Sequence, residues 1–329
     1  QNNPGGGGGI FFNIVLAEPD NDLFLPNPDG QPYYYRHNHW SNESNPLYST
    51  YKTENRNEEK RIIGNYRLNF DLASWVNFEA SYSTEFREIS SGSYSPYDTW
   101  TLGGTDPLGI TYSLGSLSEN TSERNVQQVQ TTMNLNGRFG DITAKGKISY
   151  LYENSTIHNV NTSGFDFGIR DLPTLSAIPT ANISSSNYQQ EVIASNYFFI
   201  GSLDYKDKIL FDGMFRIDGS SLFGENERWN NYYRLSAGYR ITEDLDIPNV
   251  QELKIRGAYG VAGIRPGFDW QYETYSVSNG IASASTLGNK NLKPSRTAET
   301  EVAINAEFLN RFTLEAIYAN SVIPKCWFN

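Results

Sequence analysis

Long apolar runs are what this chain most lacks. Nowhere in its 329 residues is there a stretch near the roughly 18–20 apolar residues that a bilayer-crossing helix needs, so a helical membrane protein is excluded. Cysteine is reduced to Cys326, which can form no internal disulfide and leaves the redox compartment open. Basic charge is scarce: 26 Lys and Arg stand against 37 Asp and Glu, a net charge of -11. A general nucleic-acid binder needs the opposite balance to displace counterions from phosphates. Catalytic signatures are missing as well: there is no G-x-S-x-G, H-E-x-x-H, G-x-x-x-x-G-K-[ST] or paired C-x-x-C, and no enzyme is expected. The opening QNNPGGGGGIFF lacks the basic-then-apolar order of a signal peptide, so the chain is expected to be unexported, mature or incomplete. Its run Gly5–Gly9 has no strand before it and no helix after it, which excludes a phosphate loop.

What is present is aromatic. Hydrophobic residues make up only 38%, but aromatics reach 14%, with 22 Tyr, 18 Phe and 6 Trp, too many for a disordered chain. The pattern is strict alternation, the period of a strand with two unlike faces. Tyr66, Leu68, Phe70 and Leu72 alternate with Asn65, Arg67, Asn69 and Asp71. Val76, Phe78, Ala80 and Tyr82 then alternate with Asn77, Glu79, Ser81 and Ser83. The same grammar recurs in Met133–Phe139, Ile142–Tyr150, Tyr197–Tyr205, Ile209–Ile217, Tyr233–Ile241, Leu253–Val261, Val302–Phe308 and Phe312–Tyr318. In the Tyr197 run, Phe198 and Ile200 fall on the nominally polar face.

Connections alternate in length. Short ones fall at Ala73-Ser74, Gly140-Asp141, Lys206-Asp207, Thr242–Gln251 and Leu309–Arg311. Long ones fall at Arg87–Glu123, Glu153–Gln190, Asp218–Trp229 and Ala262–Arg296. All short turns then lie at one end of the strands, as the periplasmic turns of an outer-membrane barrel do, with the long loops extracellular. Runs of roughly 9–15 residues suit a tilted membrane-crossing strand better than the usual soluble strand of about 5–6. Tyrosines near run ends on the apolar face (Tyr66, Tyr82, Tyr150, Tyr205, Tyr233, Tyr239, Tyr259, Tyr318) fit interfacial girdles. The reading is all-β: about ten strands of a transmembrane antiparallel β-barrel, a strand-lined wall occupying 61–320. Residues 1–60, rich in Gly, Pro, Asn and Asp, are expected to be an extracellular loop segment in which only Ile10–Ala17 makes a strand, and 321–329 an irregular or truncated end.

Several segments then resemble one family. FRIDGSSLFGENERWNNYYRLSAGYRITED (Phe215–Asp244), LKIRGAYGVAG (Leu253–Gly263) and LGNKNLKPSRTAETEVAINAEFLNRFTLEAIYAN (Leu287–Asn320) are similar, in order, to pieces of the SusC/RagA class of TonB-dependent outer-membrane transporters of Bacteroidota. NPDGQ (Asn27–Gln31) and ESNPLY (Glu43–Tyr48) resemble earlier loop pieces of the same class. The resemblance implies a barrel of about twenty-two strands around a plug. It implies import of an oligosaccharide or oligopeptide, energised through TonB, with a SusD-like surface lipoprotein over the long loops. No plug, TonB-box or terminal aromatic strand is legible here, so the chain is expected to be a central portion of a larger transporter. Two other roles stay open: a SusC-like barrel serving as structural subunit of a secretion or assembly complex, and a surface glycan-binding β-protein.

Candidate residues follow from this frame. Tyr94, Tyr97, Trp100 and Tyr112, in the loop Ser90–Asn120, and Phe268, Trp270 and Tyr272 further on could stack on sugar rings or peptide side chains; packing loops together or touching a neighbouring subunit is the equal alternative. The polar face would line a wet lumen with Arg67, Asp71, Glu79, Arg138, Lys145, Lys147, Asp212, Arg216, Arg234, Arg240, Lys254 and Arg256, either tuning passage or pairing across the wall. His37 and His39 lack a third metal ligand. Asp20, Asp22 and Asp29 could gather round calcium without matching a known loop pattern, and no cofactor is expected. The expected surroundings are lipid on one side and solute on the other, in the bacterial outer membrane, with no nucleic-acid partner.

The face assignment is testable. Phe70→Arg or Leu135→Arg is expected to block membrane insertion, at about 2–4 kcal/mol near the bilayer midplane, while Asn69→Arg and Asn134→Arg insert normally. Protease protection in outer-membrane vesicles reads the outcome, and equal behaviour of all four variants would reverse the faces.

Overall fold

The computed structural model describes residues 14–15, 22–27, 30–35, 45–102, 110–278 and 280–323. A short helix, α1 (Pro46–Lys52), precedes the strands. The strands are β1 (Glu54–Ala73), β2 (Val76–Ser95), β3 (Thr99–Leu102), β4 (Ile110–Ser113), β5 (Ser116–Phe139), β6 (Ile142–Phe165) and β7 (Ile183–Tyr205). They continue with β8 (Ile209–Ser220), β9 (Trp229–Arg240), β10 (Val250–Ile264), β11 (Thr274–Ser278), β12 (Ile281–Thr286), β13 (Ser295–Phe308) and β14 (Phe312–Val322). Ten of them form one antiparallel sheet in the order β1-β2-β5-β6-β7-β8-β9-β10-β13-β14. Each of these strands sits beside its predecessor in the chain, apart from the hairpins β3–β4 and β11–β12 inserted in two loops. The alternating runs thus become the ten-stranded wall.

Register carries the two faces across the sheet. Phe199, Phe215, Tyr233, Val261, Ala298 and Val322 are successive Cα partners, and so are Leu203, Phe211, Ala237, Gly257, Val302 and Tyr318. The row between them reads Ser202, Asp212, Ser236, Ala258, Glu301 and Ala319. Because side chains alternate with period 2, one face is mainly apolar and the other mainly polar, with Ile200 opposite Met214 as an apolar pair on the polar face. Among the described residues most of the apolar face is left uncovered: Leu68 is 60% and Leu72 66% exposed. So large an exposed apolar surface marks contact with another apolar phase.

Rings border that surface. Tyr66 stacks on Tyr82, and Tyr150, Tyr197 and Trp229 follow one another at 5.0 and 6.1 Å between centroids. Along β9 the apolar face runs from Trp229 to Tyr239. That span is about 33 Å along the strand. It becomes about 25 Å along the membrane normal at a tilt of about 40°, the height of a barrel's hydrocarbon band.

Strands are longer than the alternation predicts. β1 and β2 have 20 residues each, β5 and β6 24 each, and β7 23. Much of Arg87–Glu123 and Glu153–Gln190, read from sequence as loop, is therefore strand, and β1 begins at Glu54 rather than Arg61. The reason lies in the side chains that replace apolar alternation there. Lys60 pairs with Glu88, Arg61 with Glu85 and Arg87 with Glu59, each at 2.8 Å. The Ser122 hydroxyl donates to Asn159 Oδ1 at 2.8 Å, and the Thr162 and Ser185 hydroxyls meet at 3.0 Å. Cross-strand polar pairs hold a ladder as apolar ones do, but give no hydropathy signal. In the first segment, Ile14 and Val15 are helical, and the rest of the expected strand Ile10–Ala17 lies outside the described residues.

Two compact units share these strands: Gln1–Ile62 with Glu85–Asn125 and Thr156–Gln190, and Ile63–Thr84 with Val126–Ser155 and Glu191–Asn329. The first has its own apolar core of Leu117, Phe167, Ala177 and Ile178. In it Asn45 caps α1, its side chain accepting from the Leu47 N–H, and Tyr48 on the helix is fully buried. The second unit contains the sheet ladder from β8 to β14 and its tight turns.

Those turns match their sequence signals. Lys206 and Asp207 have φ of 56° and 57°, and Leu309 and Asn310 55° and 52°, the paired left-handed conformation of hairpin turns that follow strand twist. In the β9–β10 turn, Asp244 accepts from Lys208 and from the Tyr239 hydroxyl, and these bonds hold its carboxyl below the usual range. Leu309 is the anomaly, since a branched side chain at positive φ is strained. Leu309→Gly is expected to stabilise the protein by about 0.5–1 kcal/mol. The urea midpoint in detergent micelles checks this, and a lowered midpoint would contradict it.

Candidate functional site

The charged face is concave in the second unit. A groove of about 700 Å³ runs over Asp212, Arg234, Ser236, Lys254, Arg256 and Glu301. Most lumen candidates are paired across neighbouring strands. Arg67 meets Glu79 at 3.1 Å, and Asp71 accepts from Asn77 at 2.8 Å. Arg234 meets Asp212 at 2.9 Å, Arg240 meets Glu252 at 3.5 Å, and Arg256 lies 2.9 Å from Glu315 and 3.5 Å from Glu301. Arg138, Lys145, Lys147 and Lys254 share this face and make no ion pair among the described residues. Half-exposed pairs of this kind contribute little stability each, so their main effect is to fix a pattern of charge.

One group on the charged face is different because it is buried. Asp218 on β8 is only 4% exposed at its side chain and receives two guanidiniums: Arg265 at 2.9 Å on Oδ1 and Arg216 at 3.1 Å on Oδ2. Asn196 on β7, fully buried, accepts from Arg216 at 3.0 Å and Arg265 at 3.2 Å, and donates to Glu153 Oε2 at 3.2 Å. Glu153 on β6 also accepts from Gln128 on β5 at 3.2 Å and lies 3.5 Å from Arg265. Burial opposes the charge on Arg265, but the Asp218 and Glu153 carboxylates outweigh it and raise its pKa further. Two carboxylates and two guanidiniums leave the knot neutral while tying four strands to the segment that leaves β10.

Sequence reasoning singled out only Arg216 of this knot. Asp218 and Arg265 are 47 residues apart, and only the tertiary fold makes them neighbours. The available signal was the segment FRIDGSSLFG itself, whose parts now have physical roles. Asp218 is the hub, Ser221 exchanges bonds with the Ile193 backbone, and Phe223 is a fully buried anchor. Gly224 brings its backbone against Lys290 and Leu292, where any Cβ would collide, and its N–H donates to the Leu292 carbonyl at 3.0 Å.

The candidate aromatics fall into two groups. Tyr94 lies within β2, not in a loop, and meets Phe167 edge-on at 5.8 Å in the core of the first unit. Tyr97 lies under Arg170 at 4.4 Å, and Arg170 pairs with Asp98 at 3.1 Å. Trp100 and Tyr112 are Cα partners on the β3–β4 hairpin, their rings 5.4 Å apart, and the Trp100 backbone N–H donates to the Tyr48 hydroxyl. These rings are engaged in packing, although Tyr112 stays 58% exposed. In the second unit Phe268 and Tyr272 are 5.8 Å apart, and Trp270 is 52% exposed. Of the metal candidates, Asp20, Asp29, His37 and His39 lie outside the described residues, while Asp22 accepts from the Phe24 N–H in a turn.

A two-faced antiparallel sheet with an apolar outside, a charged concave inside, tight turns at one end and structured loops at the other is a sector of a β-barrel wall. Residues 5–321 match the family described as TonB dependent receptor-like, beta-barrel, and the chain belongs to that family. Among curated relatives it is 26% identical over 320 residues to the TonB-dependent receptor P26 of Formosa agariphila, covering 91% of this chain and 31% of that protein. The TonB-dependent receptor SusC of Bacteroides thetaiotaomicron is 30% identical over 130 residues, 34% of this chain and 13% of SusC. Among solved structures, the RagAB peptide transporter superposes with a TM-score of 0.75 at 16% identity, over 88% of this chain and 33% of that one. The chain therefore spans about a third of the length of P26 and of the RagAB chain.

The knot predicts an order of effects. Asp218→Asn leaves two guanidiniums without their common carboxylate and is expected to cost about 3–5 kcal/mol. Arg265→Met leaves Asp218 paired with Arg216 and should cost about half as much. Urea unfolding followed by heat-modifiable gel mobility ranks the two, and a reversed order would remove Asp218 as the hub.

Proposed function

We propose that the chain forms part of the wall of an outer-membrane transporter that imports oligosaccharides or oligopeptides. TonB supplies the energy through a plug outside this chain, and a SusD-like surface lipoprotein closes over the long loops. The observation that carries this reading is the ten-stranded sheet with an apolar exposed face and a charged opposite face. A wall of that kind needs lipid on one side and a wet passage on the other. Likeness in fold to a structure described as a peptide transporter supports an oligomeric cargo. The protein binds and passes its cargo and makes or breaks no bond in it.

Deletion of the full-length gene in the source bacterium, with fractionation of the wild type, tests the proposal. Recovery in the outer-membrane fraction only with detergent is expected, with loss of uptake of one oligosaccharide or oligopeptide and unchanged uptake of its monomer. Recovery without detergent would overturn the membrane placement. Unchanged uptake of all oligomers, together with stable co-purification of secretion or assembly subunits, would replace transport with a structural role.

A further inference from the structure

Beside the buried knot, not every guanidinium is paired with a carboxylate. Arg216 and Arg265 are matched by Asp218 and Glu153. A third guanidinium, Arg296 on β13, has no carboxylate within ion-pair distance among the described residues and is exposed. It donates a hydrogen bond to Asn230 Oδ1 on β9 at 3.1 Å.

Arg296 is nevertheless held. Its guanidinium carbon lies 5.8 Å from the centre of the Tyr232 ring, and Arg216 lies 6.0 Å from the same ring. Arg216 in turn lies 5.2 Å from Phe198, so ring and guanidinium alternate across β7, β8, β9 and β13. Tyr232 is only 4% exposed, and its hydroxyl has no hydrogen-bond partner among the described residues. Gly263, the Cα partner of Arg296, admits the Tyr232 ring where a Cβ would collide with it. The fold therefore makes room for the ring that braces Arg296.

We propose that Arg296, braced by Tyr232, recognises a carboxylate carried by the transported oligomer; this deepens the transport reading above and rests on it. A guanidinium has five N–H donors in a planar fork, and one hydrogen bond to Asn230 leaves donors for a planar carboxylate. Two parallel charge-assisted bonds give such a pair its strength and direction. Bracing lowers the ordering cost of binding. The carboxylate has two natural sources, the C-terminus of an oligopeptide or a uronate in an oligosaccharide, and both present the same group.

Calorimetric binding to the detergent-solubilised full-length protein separates the sources with two pairs of probes: tetra-alanine against its C-terminal amide, and tri-galacturonate against maltotriose. In one pair the carboxylate probe is expected to bind about tenfold tighter than its neutral counterpart. Arg296→Gln should abolish that preference and leave the neutral probe unchanged, while Arg296→Lys keeps part of it. Tyr232→Phe keeps the ring and should preserve most of the preference. Absence of preference in both pairs, or a preference that survives Arg296→Gln, overturns the inference. Unaltered folding of the variants is read from strand circular dichroism, and Arg296→Lys serves if the glutamine variant does not fold. Uptake of a neutral oligomer, with no discrimination at Arg296, would sink this inference and leave the transport reading standing.

Discussion

Hydrocarbon offers no partner to a backbone N–H or C=O, and the rest of this structure follows from that constraint. Each buried amide must bond to a neighbouring strand, so the wall is one unbroken antiparallel ladder in which side chains alone choose between lipid and water. The register that matches Phe199 with Phe215 and Tyr233 also matches Ser202 with Asp212 and Ser236. A slip of one residue anywhere would turn the charged row into the bilayer, which is why the turns are short and specific.

The constraint relaxes where the strands leave the apolar band, and the chemistry changes with it. In β1, β2, β5 and β6 the ladder continues on ion pairs and hydroxyl contacts such as Lys60 with Glu88 and Ser122 with Asn159. In the second unit the charges go the other way, into burial, and Asp218 sits beneath two guanidiniums. Burying charge is costly unless every partner is supplied, and here Asn196 and Glu153 supply them. The result is a rigid anchorage for the segment after β10, which carries Phe268, Trp270 and Tyr272. Beside the knot Arg296, which no carboxylate pairs among the described residues, has its orientation fixed by a ring.

Strand existence, strand order and the two faces were legible because alternation is a local property that each run declares by itself. Tyr66, Leu68, Phe70 and Leu72 had to share one face whatever they met there. The tight turns were legible for the same reason at Gly140-Asp141 and Lys206-Asp207. The outer parts of β2, β5 and β6 were not, since polar cross-strand pairs leave no periodic mark and look like loop. Tyr94 was misplaced on that account.

The sequence by itself determined a two-faced β wall, its lipid side and the residues available to its wet side, because those depend on neighbours two positions apart. Only the tertiary structure decided which charges cancel and which remain, because Glu153, Asn196, Asp218, Arg265 and Arg296 come from five separate stretches of chain. Electrostatic energy depends on distance in space, and that distance is set by register across the sheet, which no single strand specifies.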